Sequence, residues 1–230
     1  MSVPLRHKRL VPANDTLSVL RQVESAERKT IFDSVHDTRI GIRIGILSFL
    51  ISAIYATIRY HVLKGVSWSD WPVFTLNKVF GVSSLLLLAI AIARYKFRPV
   101  LSNSKILYLS GLYGGVHILL SCVLLDPAYY EKFFYDDRLT AIAGLSMLSG
   151  AVAAVLFITK AGEKKERQIN QITRSLAVVC GITGMHVAFQ GFQSWFTPND
   201  WPGFIPPLTL ISFLTCMAAV SMTINTKAIK

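Results

Sequence analysis

The chain has 230 residues, 52% of them hydrophobic and only 16% charged, with a mean hydropathy of +0.47. A soluble domain of this size carries more polar surface, so the composition points to an integral membrane protein. The formal net charge of +11 would suit a nucleic-acid ligand, but the basic residues are segregated along the chain as a bilayer demands, which argues against nucleic acid.

Residues 1–39 read as a basic cytoplasmic arm. Asp15-Thr16-Leu17-Ser18 offers a helix start, with Leu17, Leu20 and Val23 on one side through about residue 29; a surface-lying or partly disordered tail is the reading its polarity favours. The arm lacks the central apolar run of a signal peptide, so no cleaved signal is expected. It is too short for a nucleotide-binding domain and contains no Gly-x-Gly-x-x-Gly, so any cytoplasmic reductant is expected to be a separate molecule or protein.

Six apolar stretches follow: Ile40–Leu63, Val73–Ala93, Ile106–Leu125, Leu139–Thr159, Ile172–Ser194 and Pro206–Thr223. Each approaches or exceeds the ~20 residues that carry a helix across hydrocarbon, where every backbone group must be paired within the segment. The expected fold class is all-α: a six-helix transmembrane bundle over residues 40–223 with a short cytoplasmic tail, 224–230. Of the 24 Lys and Arg, 18 lie in 1–39, 94–105, 160–174 and 224–230. The intervening loops 64–75, 126–138 and 195–206 hold only Lys64, Lys132 and Arg138, against six carboxylates. That alternation places both termini in the cytoplasm. The basic surface would then lie along anionic headgroups or face an acidic soluble partner.

Smaller features have modest readings. Gly41 with Gly45, and Gly111 with Gly115, have the spacing that allows close helix approach. The loops around Trp68-Ser69-Asp70-Trp71-Pro72 and Trp195 to Gly203 read as an aromatic belt at the outer interface, and the acidic loop from Asp126 to Arg138 as a solvated turn. Cys122, Cys180 and Cys216 fall within expected spans and share no metal-ligand spacing, so they read as packing residues.

The informative residues are His117, in Gly115-Val116-His117-Ile118, and His186, in Gly184-Met185-His186-Val187. An imidazole in hydrocarbon is costly and marks a functional-site candidate. Each stands eight residues before the end of its expected span, on the third and fifth helices, which run in the same direction. Both rings are then about 12 Å below the outer boundary at 1.5 Å per residue. Equal depth is what one b-type haem with two axial histidines requires; interhelical hydrogen bonds without a cofactor are the alternative. Gly114, three residues before His117, would admit a flat ring. Tyr113, Ser121, Phe189 and Gln190 stand close enough along their helices to border the site, and one of these residues or a helix carbonyl would accept from each ligating ring. His61, near the outer end of the first span, is expected to reach the headgroups and is the weaker ligand candidate. His7 and His36 lie in the arm, and Met185 points away from His186 by about 100°.

Asn77-Lys78-Val79-Phe80-Gly81, Gly111-Leu112-Tyr113-Gly114-Gly115-Val116-His117 and Gly184-Met185-His186 together resemble the ferric reductase-like transmembrane domain superfamily. That group includes the haem-binding membrane subunit of the bacterial methionine sulfoxide reductase system and the six-transmembrane metalloreductases. The resemblance spans about residues 75 to 223. It implies one haem b held by His117 and His186, conducting electrons from a cytoplasmic-side donor to an outer acceptor. Members with two stacked haems need four histidines, paired on two helices, and this chain lacks the inner pair; the flavin and nucleotide domains of nicotinamide-driven members are also absent from it. A flavin bound at the basic stretches Arg94–Lys105 and Lys160–Arg174, as in related proteins, has no motif of its own here. The expected partners are the bilayer and a redox protein or larger membrane complex; the competing expectation is an accessory subunit with the same fold and no redox turnover.

Overall fold

The structure, a computed structural model, describes residues 37–97, 103–161 and 169–224. The N-terminal arm with its helix start at Asp15, the tail beyond 224, His7, His36 and the centres of both basic connections lie outside the described residues.

Six helices are long and apolar enough to cross a membrane: Asp37–Leu63, Trp68–Phe97, Ser104–Val123, Ala141–Lys160, Gln171–Trp195 and Pro202–Ile224. Each falls within a few residues of its expected span. The regular helices are here named α1 (Asp37–Leu63), α2 (Leu76–Phe97), α3 (Ser104–Val123), α4 (Ala141–Ala161), α5 (Ile169–Trp195) and α6 (Leu208–Ile224). Large apolar side chains such as Leu47, Leu119, Leu148 and Ile158 are more than half exposed on the bundle surface, as suits helices bathed in lipid.

The bundle is built on α2 and α5. Helix α2 packs on α3, α6 and α5; α5 packs on α4 and α6. Leu88, Ile92, Ala153, Leu176, Val179, Cys180 and Ala219 bring α2, α4, α5 and α6 into one core. Gly41 and Gly45 do admit α3 closely: a Cβ at Gly41 would stand 2.9 Å from Lys105 Cβ, and one at Gly45 2.6 Å from Leu109 Cδ1. Gly111 meets Phe157 of α4 instead, while Gly115 faces open space. Apart from such points, α3 and α4 touch sparsely.

One end of the bundle is tied by polar groups. Arg94 donates to the Asn103 side chain at 2.8 Å and lies 3.9 Å from Asp37, and Lys96 donates to the Met222 carbonyl. The start of α1 therefore meets the ends of α2 and α6. At the opposite end, Ser67 caps the turn leading into α2, and a one-turn helix, Pro127–Tyr130, is capped by Asp126. A minimal hairpin follows, β1 (Phe134–Tyr135) against β2 (Arg138–Leu139). Its turn residues, Asp136 and Asp137, both have positive φ (45° and 57°), which a two-residue hairpin turn requires and aspartate tolerates better than most residues.

Two expectations at this end are corrected. Trp195 is no belt residue: it is 8% exposed and donates to Thr209 at 3.0 Å inside the α5–α6 contact. His61 does not reach outward. The last six residues of α1, Ile58–Leu63, form a π-helical turn that rotates the ring inward, where it is 5% exposed. There it bonds the Val66 carbonyl (2.9 Å) and the Thr75 hydroxyl (2.6 Å) and stacks on Trp68.

Candidate functional site

Sparse contact between α3 and α4 leaves a cavity of about 1060 Å³ walled by α2, α3, α4 and α5. That is at the top of the ~300–1,000 Å³ usual for cofactor pockets. His117 on α3 and His186 on α5 both line it, although their helices barely touch. The two rings stand on different walls, one on α3 and one on α5. Counted to the observed helix ends, His117 is six residues from Val123 and His186 nine from Trp195. The shared cavity, rather than matched spacing to the ends, brings them together.

The rings are held in the same manner. Nδ1 of His117 lies 2.9 Å from the Asn77 carbonyl oxygen on α2, and Nδ1 of His186 lies 2.7 Å from the Ser146 carbonyl oxygen on α4. A carbonyl only accepts, so Nδ1 carries the proton in both rings and Nε2 keeps its lone pair. The sequence reading had allowed a helix carbonyl in this role; two of them fill it.

A helix carbonyl can accept a second bond only where the helix surface above it is bare. Side chains lean toward the helix N-terminus, so the residue four positions on would normally cover that oxygen. At both places this residue is glycine. A Cβ on Gly81 would stand 3.0 Å from Nδ1 of His117, and one on Gly150 2.9 Å from Nδ1 of His186. Asn77/Gly81 and Ser146/Gly150 are thus equivalent seats, one for each ring.

Further contacts stiffen the seats. The Asn77 side chain, 1% exposed, accepts from Ser121 at 3.1 Å and donates to the Tyr130 hydroxyl at 3.3 Å. The Ser146 hydroxyl lies 3.2 Å from Nδ1 of His186. Gln190 behaves differently. Its amide nitrogen is 3.0 Å from Nε2 of His186, and because that nitrogen bears no proton, the amide is the donor. Among the described residues nothing bonds Nε2 of His117.

The remaining sequence candidates divide. Gly114 lines the cavity, but its bare Cα also admits Ser84 of α2, whose hydroxyl would lie 3.1 Å from a Cβ there. Ser84 and Ser110 exchange hydroxyl-to-carbonyl bonds of 2.8 and 2.9 Å across the same contact. Tyr113 turns away to pack with Phe49 and Phe80. His61, with both nitrogens engaged, stands apart from the cavity. Cys180 and Cys216 are buried free thiols in the core, and Cys122 is exposed.

Sequence reasoning passed over Gly81 and Gly150 as seats, and Lys78 as a charge inside a span. A glycine within a helical pattern and an ionisable residue at membrane depth were the available signals. Lys78 lines the cavity with its ammonium 3.9 Å from the Phe74 ring centroid and within 5.3 Å of those of Tyr60 and Tyr130. The ammonium of Lys132, an exposed loop residue, donates to the Gln190 carbonyl; partial loss of surrounding water, then the like charges of Lys78 and Lys64, pull it below the ordinary lysine range. Burial pushes the Tyr130 phenol up, partly offset by the Asn77 amide.

Chemically, the site holds two neutral imidazoles in a large apolar space, with the His186 lone pair accepting from the Gln190 amide. Among the described residues no three His, Cys, Asp or Glu side chains converge as a metal-ion site. Two ligands are too few for a bare zinc-type ion but suffice for iron already held in the plane of a macrocycle. No known protein family is matched by the chain, and no curated protein matches it.

Proposed function

We propose that this chain is a transmembrane b-type cytochrome, similar to the ferric reductase-like superfamily, with His117 and His186 as the axial ligands of a single haem b. The observation that carries the reading is the pair of equivalent seats. Two rings on one cavity are each fixed as the Nδ1–H tautomer by a helix carbonyl beside a glycine; the Nε2 lone pair of His117 is free among the described residues, and that of His186 is held by the Gln190 amide, which a haem would displace. Bound there, a bis-histidine haem would supply reversible one-electron chemistry with little affinity for oxygen. The protein's contribution is ligation, burial and orientation. Gly81 and Gly150 set the ring planes, and apolar walls exclude water.

The segregation of Lys and Arg supports both termini being cytoplasmic. In this reading the cavity runs from the cytoplasmic half, near Tyr95, Tyr108 and Lys160, to the outer loop at Tyr130 and Phe133. Electrons enter from a separate reductase or flavin at the basic connections and leave to an outer acceptor such as a metal chelate, quinone or partner protein. A second reading, an accessory subunit without redox turnover, is favoured by one contact, the Gln190 amide on the His186 lone pair.

The deciding test is a reduced-minus-oxidised spectrum of the purified protein. A b-type α-band, lost in His117→Ala and His186→Ala, supports the cytochrome. A colourless, folded protein that takes up no added haem supports the accessory subunit and overturns the cytochrome.

A further inference from the structure

Lys78 is the residue the bis-histidine site leaves unexplained. It lies within the Trp68–Phe97 span, and its ammonium faces the rings of Phe74, Tyr60 and Tyr130. Among the described residues no carboxylate pairs with it; Arg94 with Asp37 is the ion pair the structure shows. Aromatic faces compensate a desolvated cation only in part, so an ammonium in this setting calls for an anion.

The position of Lys78 says where that anion sits. It follows Asn77, whose carbonyl seats His117, and it borders the same cavity. Lys132 lies outside that lining, on the exposed loop, where its ammonium donates to the carbonyl of Gln190. Lys78 is therefore the cation that the cavity presents at its loop end, next to the seat of His117. A b-type tetrapyrrole carries two carboxylates along one edge.

We propose that Lys78 binds the carboxylate edge of the tetrapyrrole and so fixes its orientation, with carboxylates toward the 124–140 loop. This rests on the cytochrome reading above. Lys78 holds and orients, and it takes no part in ligating iron. Lysine acts as a point charge that tolerates either one or two carboxylate oxygens, so the site demands charge rather than a fixed bidentate geometry.

The test reconstitutes the full-length apoprotein in lipid nanodiscs with haem or with haem dimethyl ester, whose carboxylates are blocked. The readouts are tetrapyrrole affinity and the bis-histidine α-band. Wild type should prefer haem by about tenfold or more, the scale of one charge-assisted contact. Lys78→Met should bind both with equal affinity and keep the α-band, and Lys78→Arg should restore the preference. Equal binding of both compounds by wild type, or full preference retained in Lys78→Met, overturns this inference and leaves the cytochrome reading standing. Absence of an α-band with either compound overturns both.

Discussion

The imidazole of His186 lies over the bare backbone of Gly150, where a single added methyl group would stand 2.9 Å from its Nδ1. Forty residues separate His186 from Ser146, the carbonyl partner one turn before that glycine, and forty also separate His117 from Asn77. The same spacing and the same donor–acceptor arrangement thus recur in two consecutive pairs of helices. Two histidines held this way on one cavity support the clamp proposed above.

Gly81→Ala and Gly150→Ala should each tilt the ring, break its Nδ1 bond and weaken haem binding, while leaving a folded bundle. Losing one such bond costs about 1 kcal/mol, roughly fivefold in affinity, and misdirection of Nε2 adds to it. Haem titration of the two variants measures this. Wild-type affinity in both would remove the seats from the argument.

His117→Ala or His186→Ala should abolish haem retention outright. His61→Ala should retain haem but unfold more easily by about 1–3 kcal/mol, because the Thr75 hydroxyl and the Val66 carbonyl lose their buried partner. Haem content and thermal melting of the three variants separate a ligand from a structural histidine.

Gln190→Leu removes the amide that occupies the His186 lone pair. Haem should then bind more tightly by about twofold to tenfold, since a net hydrogen bond of ~0.5–1.5 kcal/mol no longer competes. Weaker binding would mean instead that Gln190 supports the ligated state.

Gly191→Ala should be the most destabilising of the glycine changes. Its Cβ would stand 2.0 Å from the Thr209 hydroxyl and 2.8 Å from the Trp195 indole nitrogen, so α5 and α6 must part. Overpacking of this kind costs about 1–3 kcal/mol, visible as a lower melting temperature.

The topology is checked by placing cysteines at Lys164 and Lys165 on a background with the native cysteines replaced. A membrane-impermeant maleimide added to intact cells should leave both unlabelled. Labelling from outside would invert the assignment of the basic connections.

Much of the bundle was legible without coordinates. Ile172–Ser194, read from hydropathy alone, differs from the observed Gln171–Trp195 by one residue at each end. His117 and His186 stood out as imidazoles where hydrocarbon tolerates few. The misreadings share a cause: Trp195 and His61 were judged by their position along the chain, and their surroundings were set by which way each helix turned. A π-helical turn ending α1 carried His61 inward, and close α5–α6 packing buried Trp195.

What the sequence determined by itself was the set of six spans and the two rings within them. Hydropathy is a sum over neighbouring residues, and about twenty apolar ones cross a bilayer whatever lies elsewhere. What only the tertiary structure decided was that Asn77 with Gly81, and Ser146 with Gly150, hold those rings, and that Lys78 borders the same space. Such relations depend on which helix faces meet. In lipid that choice rests on close packing and hydrogen bonds between faces of nearly uniform hydropathy, so the apolar pattern along the chain carries little trace of it.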